Sequence, residues 1–208
     1  KSTSLLQSSY NYIERGMHTM LLTPDIDNRF SKGKITSRIG LDADAQTFRN
    51  EDNLYQLVAV EHAKKTIDCV MLDEAQFLTR HQVRELGFIC DELDIPVLAY
   101  GIRTDFRGEP FEGSKYLLAW AEELVEVKTV CRSGRKATMS ARMTAEGERA
   151  ISGDQVQIGY NYEPLSRHLF DLPGCSPIPY PAPKPTPQPL SPPLSQGNAQ
   201  GQELTDDD

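Results

Sequence analysis

The sequence predicts an α/β fold with a mostly parallel sheet flanked by helices. Three observations predict it. Short apolar runs at residues 17–23, 66–72 and 96–100 alternate with segments of helical periodicity. Each run stops at a polar turn, and open parallel sheets bind their ligands at such strand ends. The chain also opens on Lys1-Ser2-Thr3, the closing residues of the phosphate-binding pattern G-x-x-x-x-G-K-[ST], which leads from a buried strand into a helix.

In chain order, residues 2–15 read as a helix with Leu5, Leu6, Ser9, Tyr10 and Ile13 on one face, closed by Gly16. Met17 to Thr23 suit a buried strand, and residues 24–29 a polar turn. Residues 31–50 are polar, with Gly33 and Gly40, and read as a mobile loop. Leu54, Leu57, Val58 and His62 mark a helix within 51–65. Thr66 to Leu72 fit a central parallel strand that ends at Asp73-Glu74. Val83, Leu86, Cys90 and Leu93 lie on one face of the next helix. Pro96 to Tyr100 form another strand, 114–121 a helix, and Leu124 to Val130 a further strand.

Residues 131–170 change character. Ala137 to Met143 and Gln155 to Ile158 are expected to form a hairpin with Glu146-Gly147-Glu148 near its turn. From Pro173 the chain holds ten of its fourteen prolines and ends in acidic residues, the composition of a disordered tail. The expected division is therefore a nucleotide-binding α/β unit at 1–130, a small β subdomain at 131–170 and a tail at 171–208.

The net charge of −8 argues against nonspecific binding to nucleic acid or to anionic membranes. The four cysteines show no C-x-x-C pair and no disulfide-framework spacing, so a reducing, cytoplasmic setting is expected. No run is long and apolar enough to span a bilayer, and no signal peptide is visible. His18, His62, His81 and His168 share no spacing and read as helix-face or surface residues.

The chemistry gathers at strand ends. In the phosphate-binding pattern the lysine reaches the β- and γ-phosphates, and the hydroxyl ligates Mg²⁺. Its glycines and strand are expected ahead of residue 1. Asp73 closes its strand as a Walker-B acid does and can hold Mg²⁺ or its waters beside that hydroxyl. Glu74 can orient and deprotonate an attacking hydroxyl. Taken alone, two acids at a strand end are more often just solvated; the lysine-serine pair upstream favours function.

Three segments then occur in order: Lys1-Ser2-Thr3-Ser4-Leu5-Leu6, Asp73-Glu74-Ala75-Gln76-Phe77-Leu78, and Tyr100 to Gly108. With Ile26 to Phe30 and Ser37 to Gly40 between them, residues 1–170 resemble the bacterial form of the type II thymidine kinase family. The resemblance implies a P-loop (RecA-like) core, a β-hairpin lasso subdomain and transfer of the ATP γ-phosphate to the 5′-hydroxyl of thymidine or deoxyuridine. It implies Glu74 as general base, and Lys1, Ser2, Thr3, Asp27, Arg29 and Asp73 at the phosphates, with Ser2 and Asp73 on Mg²⁺. It places Gln76, Phe77, Ile102, Phe106 and Tyr162 around the nucleoside. It further implies a homotetramer with feedback inhibition by thymidine triphosphate.

One departure stands out. The family commonly holds a structural zinc with four cysteine or histidine ligands. Here Cys131 remains, a neighbouring ligand position reads Ser133, and the second pair falls near residues 165–169, which hold His168 and no cysteine. That is no closed tetrahedral site, and zinc is expected to be absent. Two other readings stay open on the residues alone. One is a catalytically impaired nucleotide-binding or regulatory module lacking a complete phosphate loop. The other is a mechanical ATPase of the RecA type, disfavoured by the small size and acidic balance.

Overall fold

The structure is a computed structural model that describes residues 1–25, 33–144, 147–156 and 161–170. Asp27, Arg29 and the tail from residue 171 lie outside the described residues, as do residues 26–29 of the turn expected at 24–29.

Helix α1 (Ser2–Ile13) follows directly from the opening lysine and buries Leu5, Leu6 and Ser9. Gly16 then takes the left-handed conformation, φ 75°, that lets the chain reverse into β1 (Thr19–Pro24). Two short strands, β2 (Lys34–Thr36) and β3 (Asp42–Asp44), pair antiparallel as a small ribbon. Strand β4 (Gln46–Phe48) follows and pairs parallel with β1.

Helix α2 (Leu54–Lys64) starts at Asn53, whose side chain accepts the Gln56 N–H at 2.7 Å. Strand β5 (Cys69–Leu72) leads through a 3-10 turn (Ala75–Phe77) to α3 (Arg80–Leu93). Thr79 and Gln82 close a reciprocal capping box on α3. The Gln82 amide also donates to the Arg49 and Asp52 carbonyls, which fastens the start of α3 to the segment ahead of α2. Strand β6 (Val97–Ala99) and α4 (Glu112–Trp120) complete the core.

The sheet order is β4-β1-β5-β6, with every pairing parallel. Because strand side chains alternate between faces, an apolar run can serve both. Leu21, Cys69 and Met71 face α1 with Leu5, Leu6 and Ile35. Met20, Leu22, Val70 and Leu72 face α2 and α3 with Leu54, Val58, Leu86 and Ile89. Burial on both faces explains why these strands read as continuous rather than alternating.

Residues 129–170 hold four further strands and one more, separate cluster. Strands β7 (Thr129–Val130) and β8 (Lys136–Ala137) form a short antiparallel ribbon. Strand β9 (Met139–Met143) pairs antiparallel with β10 (Asn161–Leu165). Cys131, Ala141, Met143, Leu165 and Phe170 pack together beneath them.

Three expectations are corrected. The polar stretch 31–50 is no plain loop: it supplies β2, β3 and the edge strand β4. Phe48, 1% exposed, anchors that edge strand in the core. The stretch 124–130 does not extend the main sheet. Only its last two residues pair, with β8, while Leu124, Val125 and Val127 stay exposed. Finally, the partner of β9 is 161–165 rather than 155–158, because Gln155 and Val156 are not in a strand. Near the expected turn, Gly147 has φ 81° and donates its N–H to the Thr144 carbonyl.

Candidate functional site

The carboxyl ends of β5 and β6 and the start of α1 border one broad cleft, which continues past α3, α4 and residues 122–127 and has a volume of about 1760 Å³ in all. Lys1 is the residue before the first turn of α1, so Lys1 and Ser2 sit at the helix N-terminus, where partial positive charge favours anions. Ser2 Oγ donates to Asp73 Oδ2 at 2.6 Å. Lys1 Nζ lies 3.1 Å from Glu74 Oε2. Thr3 lines the same cleft.

Asp73 is 5% exposed. Burial and then the neighbouring Glu74 charge push its carboxyl above the ordinary range, while the Ser2 hydrogen bond and Lys1 pull it back. Glu74 has φ 49° and ψ 40°, the left-handed region that residues with a side chain seldom occupy. That backbone turn aims its carboxylate back at Lys1 and at Gln76, whose Nε2 donates to Glu74 Oε2 at 2.6 Å. Gln76 Oε1 in turn accepts the Ile102 N–H at 3.2 Å. One amide therefore ties the acid at the end of β5 to the loop after β6.

Apolar side chains also line the cleft. Phe77 and Phe111 meet edge to face with ring centroids 5.6 Å apart. Ile102, Phe106 and Tyr162 line the same cleft. Phe106 is fully buried, with Arg142 stacked on its ring at 3.7 Å. The loop carrying Phe106 is pinned by buried Asp105, which accepts from the Arg107 backbone and guanidinium and from the Glu109 N–H.

Two glycines make this approach possible. A Cβ at Gly113 would stand 2.7–2.9 Å from the carbonyls of Ala75, Gln76 and Leu78, so only glycine lets α4 rest on the 3-10 turn. A Cβ at Gly101 would lie 3.0 Å from the Gln76 N–H nitrogen.

The structure thus brings together Lys1, Ser2, Thr3, Asp73, Glu74, Gln76, Phe77, Ile102, Phe106 and Tyr162 around one cleft. Sequence reasoning passed over Arg142, Asp105 and Gly113. Arg142 carries a visible signal, a charged residue at the fourth position of the strand Met139-Ser140-Ala141-Arg142-Met143. Nothing in the sequence marks Gly113, whose need arises from neighbours 35–38 positions earlier in the chain.

A zinc fits poorly. Hydrogen bonds from the backbone and side chains of Ser133 and Ser166 surround the Cys131 thiol. Burial alone would raise its pKa, and those bonds together bring it below the ordinary range. Serine hydroxyls do not supply the thiolate and imidazole donors of a structural zinc site. Among the described residues, no group of three or more His, Cys, Asp and Glu is placed to hold a metal ion. Cys69, Cys90 and Cys131 are free thiols. No helix among the described residues is long and apolar enough to cross a membrane.

A parallel sheet that gathers a lysine, a hydroxyl and two carboxylates at its strand ends, beside an aromatic-walled cleft, defines a phosphate-handling enzyme of the α/β class. A thymidine kinase family model matches residues 1–170. The chain is similar to the thymidine kinase of Shewanella oneidensis, 55% identical over 172 residues covering 82% of this chain and 90% of that one. It is also 58% identical to the thymidine kinase of Rhodopirellula baltica over 161 residues, 77% of this chain and 76% of that one. With the thymidine kinase of Legionella pneumophila it shares 59% identity over 162 residues, 77% of this chain and 78% of that one. The chain belongs to the thymidine kinase family.

Proposed function

We propose that the protein transfers the γ-phosphate of ATP to the 5′-hydroxyl of thymidine or deoxyuridine, as a cytoplasmic step in the salvage of DNA precursors. The observation that carries this reading is the convergence of Lys1, Ser2, Asp73 and Glu74 within hydrogen-bond reach at the mouth of the aromatic cleft. A phosphate chain entering that mouth meets the α1 N-terminus and the Lys1 ammonium. Because Lys1 pairs with Glu74, incoming phosphate draws the lysine away and leaves the carboxylate ready to accept a proton.

Glu74 then takes the 5′-hydroxyl proton as the oxygen attacks the γ-phosphorus, in line with the departing ADP oxygen. Gln76 holds the Glu74 carboxylate in place, and its remaining N–H is free by chemistry to meet a base edge. Phe77, Ile102, Phe106 and Tyr162 enclose the flat base. Asp27 and Arg29 are proposed to approach the γ-phosphate, where an arginine stabilises charge on the transferred group.

Ser2 and Asp73 are the residues that would hold the magnesium of Mg·ATP. Their paired oxygens are hard donors of the kind it prefers, and the ion would neutralise phosphate charge. We take the homotetramer implied by the family resemblance as the assembly.

Glu74→Gln keeps the size and the amide contact but removes the proton acceptor. In a coupled assay of thymidine phosphorylation, kcat is expected to fall by about 100- to 10,000-fold. Full turnover in that variant would sink the role given to Glu74.

A further inference from the structure

We infer that Arg142 is a positioning residue for the nucleoside, locking the aromatic wall of the cleft to the loop at 152–155. The inference rests on the reading that Phe106 forms that wall.

Arg142 lies mid-strand in β9 and is 2% exposed. Its guanidinium carbon sits 3.7 Å from the Phe106 ring centroid, in face-on contact. Nη1 donates to the Asp154 carbonyl and Nη2 to the Ser152 carbonyl, each at 2.8 Å. The planar fork therefore bonds the loop with its edges and stacks on the ring with its face, a combination that lysine cannot reproduce.

Gly153, between those two carbonyls, has φ 117°, and a Cβ there would stand 2.6 Å from Nη2. The glycine is the space into which the guanidinium fits. The loop is latched a second time, where Gln155 Nε2 reaches Asp105 Oδ2 at 3.4 Å, next in chain to Phe106.

Phe106 and Gln155 line the cleft, whereas Arg142 stands behind them. Across the β9–β10 pair, Arg142 is directly opposite Tyr162, another cleft residue. One buried side chain thus joins two segments that face the nucleoside, the Phe106 loop and the loop at 152–155, from the strand paired with Tyr162 and without facing the nucleoside itself. Its removal should loosen the walls of the base pocket and leave the phosphate end, built on α1 and β5, unchanged.

The test uses steady-state kinetics on the full-length enzyme and on three variants. Arg142→Met keeps length and loses fork and charge. Arg142→Lys keeps charge and loses fork and stacking. Gly153→Ala leaves the arginine but fills its space. The expected result is a thymidine KM raised about tenfold in Arg142→Met and in Gly153→Ala, with Arg142→Lys between them and wild type. The KM for ATP should be unchanged and kcat within about threefold of wild type. Thermal melts identify any variant that fails to fold, and Gly153→Ala probes the same contact from the opposite side. A wild-type thymidine KM in the folded variants, or a loss confined to kcat, overturns the role of Arg142. Absence of thymidine phosphorylation by the wild-type enzyme would instead overturn the reading on which it rests.

Discussion

Where the first turn of α4 crosses the 3-10 turn, Gly113 leaves no room for a methyl group, since three backbone carbonyls lie 2.7–2.9 Å from the position a Cβ would take. Backbone cannot rotate aside as a flexible side chain can. Gly113→Ala is therefore expected to lower unfolding free energy by about 1–3 kcal/mol, the range seen for overpacking. Urea denaturation checks this, and an unchanged midpoint would contradict it. Because the displaced turn carries Gln76 and Phe77, the same substitution should also weaken nucleoside binding. At this scale the sequence was informative wherever a residue type announces its chemistry. Lys1, Ser2, Asp73 and Glu74 are such residues. It was silent where the requirement is empty space, as at Gly113 and Gly153, because the neighbour that needs the space is remote in the chain.

Elements built from long apolar periodicity were legible, and short or half-polar ones were not. Strands β1 and β5 follow from runs such as Cys69-Val70-Met71-Leu72, buried on both faces, and the four helices from their apolar periodicity; β6 is also an apolar run, but Leu98 and Ala99 in it are exposed rather than buried. Strand β4 escaped notice because it is three residues long and only Phe48 in it is fully buried. In the hairpin, β9 was visible, but its partner was misplaced by several residues. Asn161-Tyr162-Glu163-Pro164-Leu165 lacks clear alternation, and register is set by pairing with β9 rather than by local composition. The same region bears on metal dependence. Cys131, Met143, Leu165 and Phe170 form an apolar cluster, and Arg149 stacks over Phe170 with its guanidinium carbon 4.1 Å from the ring centroid. Packing and cation–π contact thus hold these residues together. Purified protein is expected to contain no stoichiometric zinc by metal analysis, and overnight chelation should leave its melting temperature unchanged. Zinc at one equivalent per chain would refute this account.

Across the whole molecule, the sheet is asymmetric at its borders. On one side β4 is three residues long, with Phe48 buried in the core. On the other, β6 pairs only with β5 among the described residues, and Leu98 is 36% exposed beside Leu118, Trp120 and Leu124. The parallel register also has a consequence for time. Leu22 pairs with Gln46 on one side and with Leu72 on the other, fifty residues later in the chain (72 − 22). No two-residue hairpin can bring such partners together, since each pairing awaits its crossover. During synthesis the apolar strand Met20–Leu22 must wait, uncovered, until β5 has left the ribosome, so refolding should be governed by this long-range closure rather than by helix formation.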